Sequence, residues 1–362
     1  MTSRRRYRAV FLTGARRLEI RETELERVAP GEVVVRIEAA TTCGTDVKVY
    51  RRGGHPRMLT PPCPFGHEMT GRIEAIGEAV PDWEVGTAVV VANSASCGRC
   101  PACDRGRENL CHDLLYLNGA FAELVVVPER FVRRSLHLRP TGLDPVVAAL
   151  AEPLACVLHG LERMRIDPTA GADGSAGAAL VLGAGPIGLM FSHLLAIAGW
   201  RVTLEDRHDD RLALARRLGA RHARRPGEVA SPAAGSDFAV TIDATGTPGG
   251  WERAIAAVAS GGTVNLFGGC APGTRLGLDA TRVHYDEIAL LGSYHHRPAT
   301  FRRALDLLAR ADCPLDLLIT RQAPLDGVAE ALEEMSARRA LKVAIVPSGD
   351  SSPAPGPADL SA

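Results

Sequence analysis

The hexapeptide GAGPIG at residues 183–188 constrains this chain more than any other stretch, because it directly follows an apolar run, AALVL, and opens a helical one. In that context Gly183, Gly185 and Gly188 permit a tight turn, a close backbone approach to a diphosphate and close helix–strand packing. Pro186 and Ile187 begin the helix whose N-terminus would receive the negative charge. About twenty residues on, the run RVTLED ends in Glu205 and Asp206, where a carboxylate can accept both ribose hydroxyls of NAD. The same grammar continues with a helix over 209–218, the strand FAVTIDATG, a helix over 250–259, the strand GTVNLFGG and a strand at 288–292. Strands alternating with helices predict a parallel sheet.

The first half reads differently. Residues 8–12, 32–39, 71–76, 87–92 and 122–127 are β-rich runs bounded by Gly, Pro or Asp, which predicts a barrel-like or sandwich-like half up to about residue 157. Beyond the last sheet strand, 299–309 and 327–338 read as helices and 341–346 as a strand. A length of 362 residues suits two such domains. The Gly-, Ala- and Ser-rich stretch 167–178 is expected to be a surface loop, and the tail 347–362 has too little apolar content to fold. With 42 basic and 42 acidic side chains there is no net field to draw in phosphate backbones or anionic lipid, so nucleic acid is not an expected partner. No run of about 18 uncharged apolar residues is present, so no membrane span is expected either. The opening MTSRRRYRAVFL lacks the apolar core and cleavage site of a secretory signal, and the chain is expected to be cytoplasmic. Of its basic residues only Lys48 and Lys342 are lysines.

In a reducing compartment, four cysteines within fifteen residues suggest metal. Cys97, Cys100, Cys103 and Cys111, spaced C-x2-C-x2-C-x7-C, can wrap one tetrahedral zinc with no open position, a structural site. An iron–sulfur cluster would use similar ligands, but the last spacing and the missing Cys-Pro depart from the bacterial run. A second, scattered set comprises Cys43 in TTCGTD, His67 and Glu68 in PFGHEMTG, and Glu152 in ALAEPLAC. One thiolate, one imidazole and two carboxylates suit a catalytic zinc that keeps a place for water or substrate. Taken singly, Cys43 reads equally as a small core residue and His67 as a histidine satisfied by ordinary hydrogen bonds.

The order CGTD, GHE, four-cysteine loop, AEPLA, GAGPIG and DATG resembles the zinc-dependent medium-chain alcohol dehydrogenase superfamily, and within it the polyol (sorbitol) and threonine dehydrogenase branch, over about residues 7–346. The resemblance implies an α/β chain: a GroES-like β-rich catalytic domain, residues 1–157 and 297–346, with a Rossmann domain, 158–296, inserted. It implies two zinc ions per chain. Cys43 and His67 would be ligands of the catalytic one, with Glu68 and Glu152 at the metal directly or through water. The liver-type enzymes carry cysteine where this chain has Glu152, which points to the polyol-like branch. Thr45 would pass the substrate proton outward, while Gly183, Gly185, Pro186, Ile187, Gly188, Asp206, Arg211 and Thr245 would hold NAD, in preference to NADP. Many relatives have histidine three residues after that hydroxyl; Lys48 stands there, either as the outer member of a proton relay or as a solvated or cofactor-binding cation.

The implied reaction removes hydride from a secondary alcohol to C4 of the nicotinamide and leaves a ketone. A pocket drawing on Thr45, Tyr50, Arg52, His55, Glu152, His295, His296 and Arg297 would suit a small polyhydroxylated molecule, such as a sugar alcohol, a cyclitol or an aminocyclitol. A simple alcohol or threonine is the alternative substrate, and a non-catalytic NAD- and zinc-binding protein the alternative class. A homodimer or homotetramer is expected by analogy with the same family.

Overall fold

The chain divides into two units, one β-rich and one built on a parallel sheet. The computed structural model describes residues 5–25, 27–55, 57–168, 176–228 and 238–347. One unit runs up to Pro153 and resumes at Arg297; the other is Leu154–His296. The expected tail beyond residue 347 and most of the expected loop at 167–178 lie outside the described residues.

In the first unit the strand Val33–Thr41 is nearly all buried, as its run VVVRIEAAT anticipates. It pairs antiparallel with Glu68–Ile76, Leu124–Val127 and Lys342–Ile345. Two of these neighbours come from the first half of the chain and one from its far end. Val35, Ile37, Phe65, Met69, Phe121 and Val343 form the shared apolar core. Phe65 and Phe121 meet edge to face at 5.8 Å, a geometry that aligns ring edge with ring face. The strand Arg5–Gly14 continues through a tight turn into Arg17–Leu25, a hairpin partner absent from the sequence reading. The run RLEIRETEL alternates charges with few apolar residues, and most of it is exposed, so the pattern that marks a half-buried strand is missing.

The second unit is a six-stranded, wholly parallel sheet. Its order is His222–Arg224, Arg201–Glu205, Ala178–Leu182, Phe238–Asp243, Val258–Leu266, Ala289–Gly292. Numbered along the chain within this unit that is 3-2-1-4-5-6, the doubly wound Rossmann order, whose direction reverses between the first and fourth strands. The three-residue strand at 222–224 was not read from sequence; its run HAR carries no apolar pattern. At the switch point Gly183 has φ 97°, and a Cβ on Gly188 would lie 1.8 Å from the Gly183 carbonyl oxygen. Both positions therefore require glycine, one for backbone conformation and one for contact between helix and strand. No helix among the described residues is long and apolar enough to cross a membrane.

One buried titratable group away from the site gives a pH signature. His137, on the strand Leu136–Leu138, stacks on Phe301 at 4.8 Å. Its Nε2 is buried without a hydrogen-bond partner among the described residues. Burial, then the nearby Arg302 charge, push its pKa down to about 4. An unfolded histidine titrates near 6.5. Between those values the unfolded chain binds a proton that the native chain refuses, so stability is lost as pH falls from about 6.5 to about 4, by up to roughly 3 kcal/mol. Urea titrations of His137→Phe should lack this share of the acid loss; an unchanged pH dependence would contradict the assignment.

Candidate active site and zinc centres

The helix Gly44–Arg52 begins with an unusual cap: the Cys43 sulfur accepts from the Thr45 N–H at 3.4 Å, and the Asp46 Oδ2 accepts from the Cys43 N–H at 2.9 Å. This is the reciprocal capping box with a thiol in place of the usual hydroxyl. It fixes Cys43 at a helix N-terminus, with its sulfur held by the first turn. The second Asp46 oxygen, Oδ1, lies 3.0 Å from His67 Nδ1. That contact commits Nδ1 as the protonated nitrogen and leaves Nε2 for another partner, the arrangement by which carboxylates orient metal-binding histidines. Burial works to lower the His67 pKa, but Asp46 and the Cys43 sulfur outweigh it and raise it well above its ordinary value.

Glu68 opens the strand that follows His67 and is fully buried. Its Oε2 accepts from Lys342 Nζ at 2.6 Å and from the Thr41 hydroxyl. Lys342 also donates to the Thr42 carbonyl at 2.6 Å. Burial works against its charge, yet Glu68 and Cys43 hold the Lys342 pKa above its ordinary value. Glu152, on the first turn of the helix Ala151–Arg163, is buried within electrostatic reach of this group. Burial pushes its carboxyl up to about 7, with His67 and Lys342 pulling down and Glu68 pushing up.

Cys43, His67 and Glu68 each bring a ligand atom within 4.8 Å of the others. The Glu68 Oε1 is buried with no hydrogen-bond partner among the described residues, an expensive state for a carboxylate oxygen unless a cation takes it. The donor set therefore fits a zinc ion, with Cys43, His67 and Glu68 as the group that could hold it and Glu152 beside them. Of the expected ligands, Glu152 alone lies outside that close trio.

The four-cysteine loop fits a second ion by its distances. Cys100 Sγ lies 3.6 Å from Cys103 Sγ and 3.9 Å from Cys111 Sγ. Sulfurs at about 2.3 Å from a tetrahedral zinc sit about 3.8 Å apart. The N–H groups of Cys97 and Asp113 donate to the Cys111 sulfur at 3.2 and 3.3 Å. Backbone N–H groups of His112 and Cys103 bring the Cys100 thiol down to about 6, while burial pushes Cys111 up. A divalent cation reconciles four such sulfurs as thiolates.

In the Rossmann unit, Glu205 turns inward to Arg224 at 2.9 Å and Arg253 at 3.0 Å, whereas Asp206 stands half-buried at the strand tip. Asp206 accepts from the N–H groups of Ala184, at 2.7 Å, and His208, at 3.0 Å, which sets its carboxylate beside the glycine turn. Asp243 accepts from the Thr245 hydroxyl at 2.6 Å and from Gly246 N at 2.9 Å, ordering the DATG turn so that Thr245 borders Gly183. The helix Pro186–Ile197 has no side-chain cap, so its first N–H groups point outward, open to an anion. Arg211 is buried in the helix Asp209–Arg217. Lys48 is exposed, one turn beyond half-buried Thr45.

A β-rich unit with two zinc-suited donor sets and a Rossmann unit with an open phosphate-binding turn define a zinc-binding, nicotinamide-dinucleotide-dependent dehydrogenase. Comparison with known proteins agrees. Residues 29–136 match the alcohol dehydrogenase GroES-like domain and residues 146–346 the glucose dehydrogenase C-terminus. The chain is 35% identical to D-altritol 5-dehydrogenase of Agrobacterium fabrum, over 85% of this chain and 90% of that one. It is 30% identical to L-threonine 3-dehydrogenase of Saccharopolyspora erythraea, over 89% and 94%. A solved structure from Sinorhizobium meliloti, described as a zinc-binding dehydrogenase bound to NADP, is 31% identical and superposes with a TM-score of 0.83, covering 95% of this chain and all of that one. The chain belongs to the zinc-dependent medium-chain alcohol dehydrogenase family, enzymes that oxidise alcohols to carbonyl compounds with a nicotinamide cofactor.

Two members of the cluster, Asp46 and Lys342, escaped the sequence reading as site residues. Each left a signal: Asp46 stands three residues after Cys43, at the capping-box spacing, and Lys342 is one of only two lysines, set in the apolar run LKVAIV. Removing one partner of the Lys342–Glu68 pair should leave a buried charge uncompensated. Lys342→Met is expected to cost about 3–5 kcal/mol in urea unfolding, and the double variant with Glu68→Gln to recover much of that loss. Additive losses in the double variant would show that the pair is not coupled.

Proposed function

We propose that this enzyme oxidises a secondary carbinol of a sugar alcohol or cyclitol to a ketone, using NAD and two zinc ions per chain. The observation that carries the reading is the donor set at the first centre: Cys43, His67 and Glu68 gathered around an unpartnered carboxylate oxygen, with buried Glu152 beside them. A buried titratable carboxyl in that place suits a substrate that brings its own hydroxyl groups and disfavours an aliphatic alcohol. Relatives named for altritol, sorbitol and L-galactonate support the same class.

A zinc ion held at this centre supplies Lewis acidity toward a substrate oxygen. The chain's own groups do the rest. Asp46 holds the His67 ring in one tautomer, and the capping box holds Cys43. Thr45, on the same first turn, carries the hydroxyl to which we assign the departing substrate proton, and Lys48, three residues on, is the next station outward. The Cys97, Cys100, Cys103 and Cys111 loop holds the second ion, which stabilises the fold. Asp206 supports NAD, because a carboxylate accepts two ribose hydroxyls and repels a 2′-phosphate. Arg207 beside it and the NADP-bound relative argue the other way. A cytoplasmic homodimer or homotetramer belongs to the same reading.

Elemental analysis should find about two zinc per chain on this ligand inventory. Polyols and cyclitols should reduce NAD in preference to NADP, with chelation abolishing turnover and Asp206→Ala narrowing the preference. Iron in place of zinc, or equal efficiency with NADP, would sink the corresponding part. L-threonine in the same screen decides the alternative that one relative's name raises. Lys48→Met should lower kcat by about 10²-fold, with small amines restoring part of it; an effect confined to KM for NAD would make Lys48 a cofactor contact instead.

A further inference from the structure

The turn after the first helix carries His55, which the sequence reading grouped with other polar side chains as pocket material without giving it a particular contact. The helix Gly44–Arg52 ends at Gly53, whose φ of 78° turns the chain back. His55 then closes a small loop: its N–H donates to the Leu59 carbonyl at 3.1 Å. Its ring Nδ1 accepts from the N–H groups of Arg57 at 3.2 Å and Met58 at 3.1 Å. Two backbone donors aimed at Nδ1 require a lone pair there, so the ring proton is on Nε2. No partner for Nε2 is found among the described residues.

The loop is tied to the segment that carries the metal-suited histidine. The Met58 carbonyl accepts from Asn118 Nδ2 at 3.0 Å. The next two residues, Gly119 and Ala120, donate to the Gly66 carbonyl at 2.8 and 3.1 Å, and Gly66 immediately precedes His67. The His55 turn is thus linked to the chain beside His67 through residues 118–120. The two histidines are near enough for the His67 charge to lower the His55 pKa, after burial and the Arg57 and Arg52 charges have acted in the same direction. With its Nδ1 lone pair taken by two backbone donors, the ring is a neutral single donor in a fixed orientation, half-buried.

We infer that His55 is a substrate-recognition residue whose Nε2–H donates to a hydroxyl oxygen of the substrate other than the one oxidised. The inference rests on the polyol reading above and names the group that selects for it. A rigid donor left unpaired by a substrate lacking that hydroxyl penalises the substrate, which is how polar sites discriminate more strongly than apolar ones.

Two variants separate the two ends of the ring. His55→Asn places an amide oxygen where it can still accept from the turn, as asparagine does in such loops, but removes the distal donor. His55→Gln keeps a distal N–H and gives up the turn acceptor. The quantity read is the ratio of kcat/KM for the best polyol among D-altritol, D-sorbitol and myo-inositol to that for 2-butanol, with NAD and the zinc-loaded enzyme. The ratio should fall about tenfold or more in His55→Asn, by the worth of one hydrogen bond to a buried partner, and fall less in His55→Gln. A ratio unchanged in His55→Asn, or reduced as far in His55→Gln, would overturn the assignment of His55 alone. A wild-type enzyme that does not prefer polyols to 2-butanol would overturn the polyol reading, and the inference with it. Should His55→Asn fold poorly by its melting temperature, the His55→Gln ratio still decides: a loss of tenfold or more contradicts a donor role.

Discussion

The first centre depends on one buried ion pair. A carboxylate and an ammonium taken out of water each carry a desolvation penalty of several kcal/mol, repaid only by close approach and full hydrogen bonding. Lys342 meets that condition with Glu68 and the Thr42 carbonyl, and Glu68 Oε2 meets it with Lys342 and Thr41. The other Glu68 oxygen is left without a partner among the described residues. The pair thus neutralises one half of the carboxylate and presents the other half, beside Cys43 and His67, to a cation. Without Lys342 the carboxylates of Asp46 and Glu68 would share a dry interior beside Cys43 and Glu152 with only His67 to oppose them.

The second organising device is local. Cys43 caps the helix Gly44–Arg52, and Asp46, which completes that cap, also holds His67. Helix initiation, sulfur placement and imidazole orientation therefore share three side chains within one turn of helix and one neighbouring loop. Such sharing makes the site rigid because each rotamer is held by more than one contact. It also means that the CGTD tetrapeptide is at once a helix start signal and part of the site.

Much of this was legible in the residues. The glycine turn announced the Rossmann order because two of its glycines, Gly183 with its positive φ and Gly188 with its 1.8 Å approach, answer backbone requirements that no other residue meets. The four clustered cysteines pointed to a metal-suited group because all four donors lie in one loop. Lys342 was not legible as a site residue, since its meaning depends on a strand pairing between residues 40–41 and 344–345 that no local pattern encodes. Spacing alone did not separate Glu205 from Asp206, and the family resemblance singled out Asp206; in the structure Glu205 turns inward to two arginines while Asp206 stands at the strand tip. The hairpin at Arg17–Leu25 was hidden because an exposed strand needs no apolar alternation.

The pairing of Lys342–Ile345 with Val33–Thr41 sets an order of assembly during synthesis. A ribosome adds roughly 5–20 residues each second, so the far strand emerges well over ten seconds after its partner. Through that interval Glu68 lacks its ammonium, the edge of Val33–Thr41 lacks a neighbour, and the inserted parallel sheet is already available to fold as a unit. Until then the residues of Val33–Thr41 that pair with the last strand present an unpaired edge, the kind of surface at which strands of different chains associate. The strand pairing that fills this edge is the one that carries Lys342 to Glu68, which couples competence for metal to the arrival of the last strand.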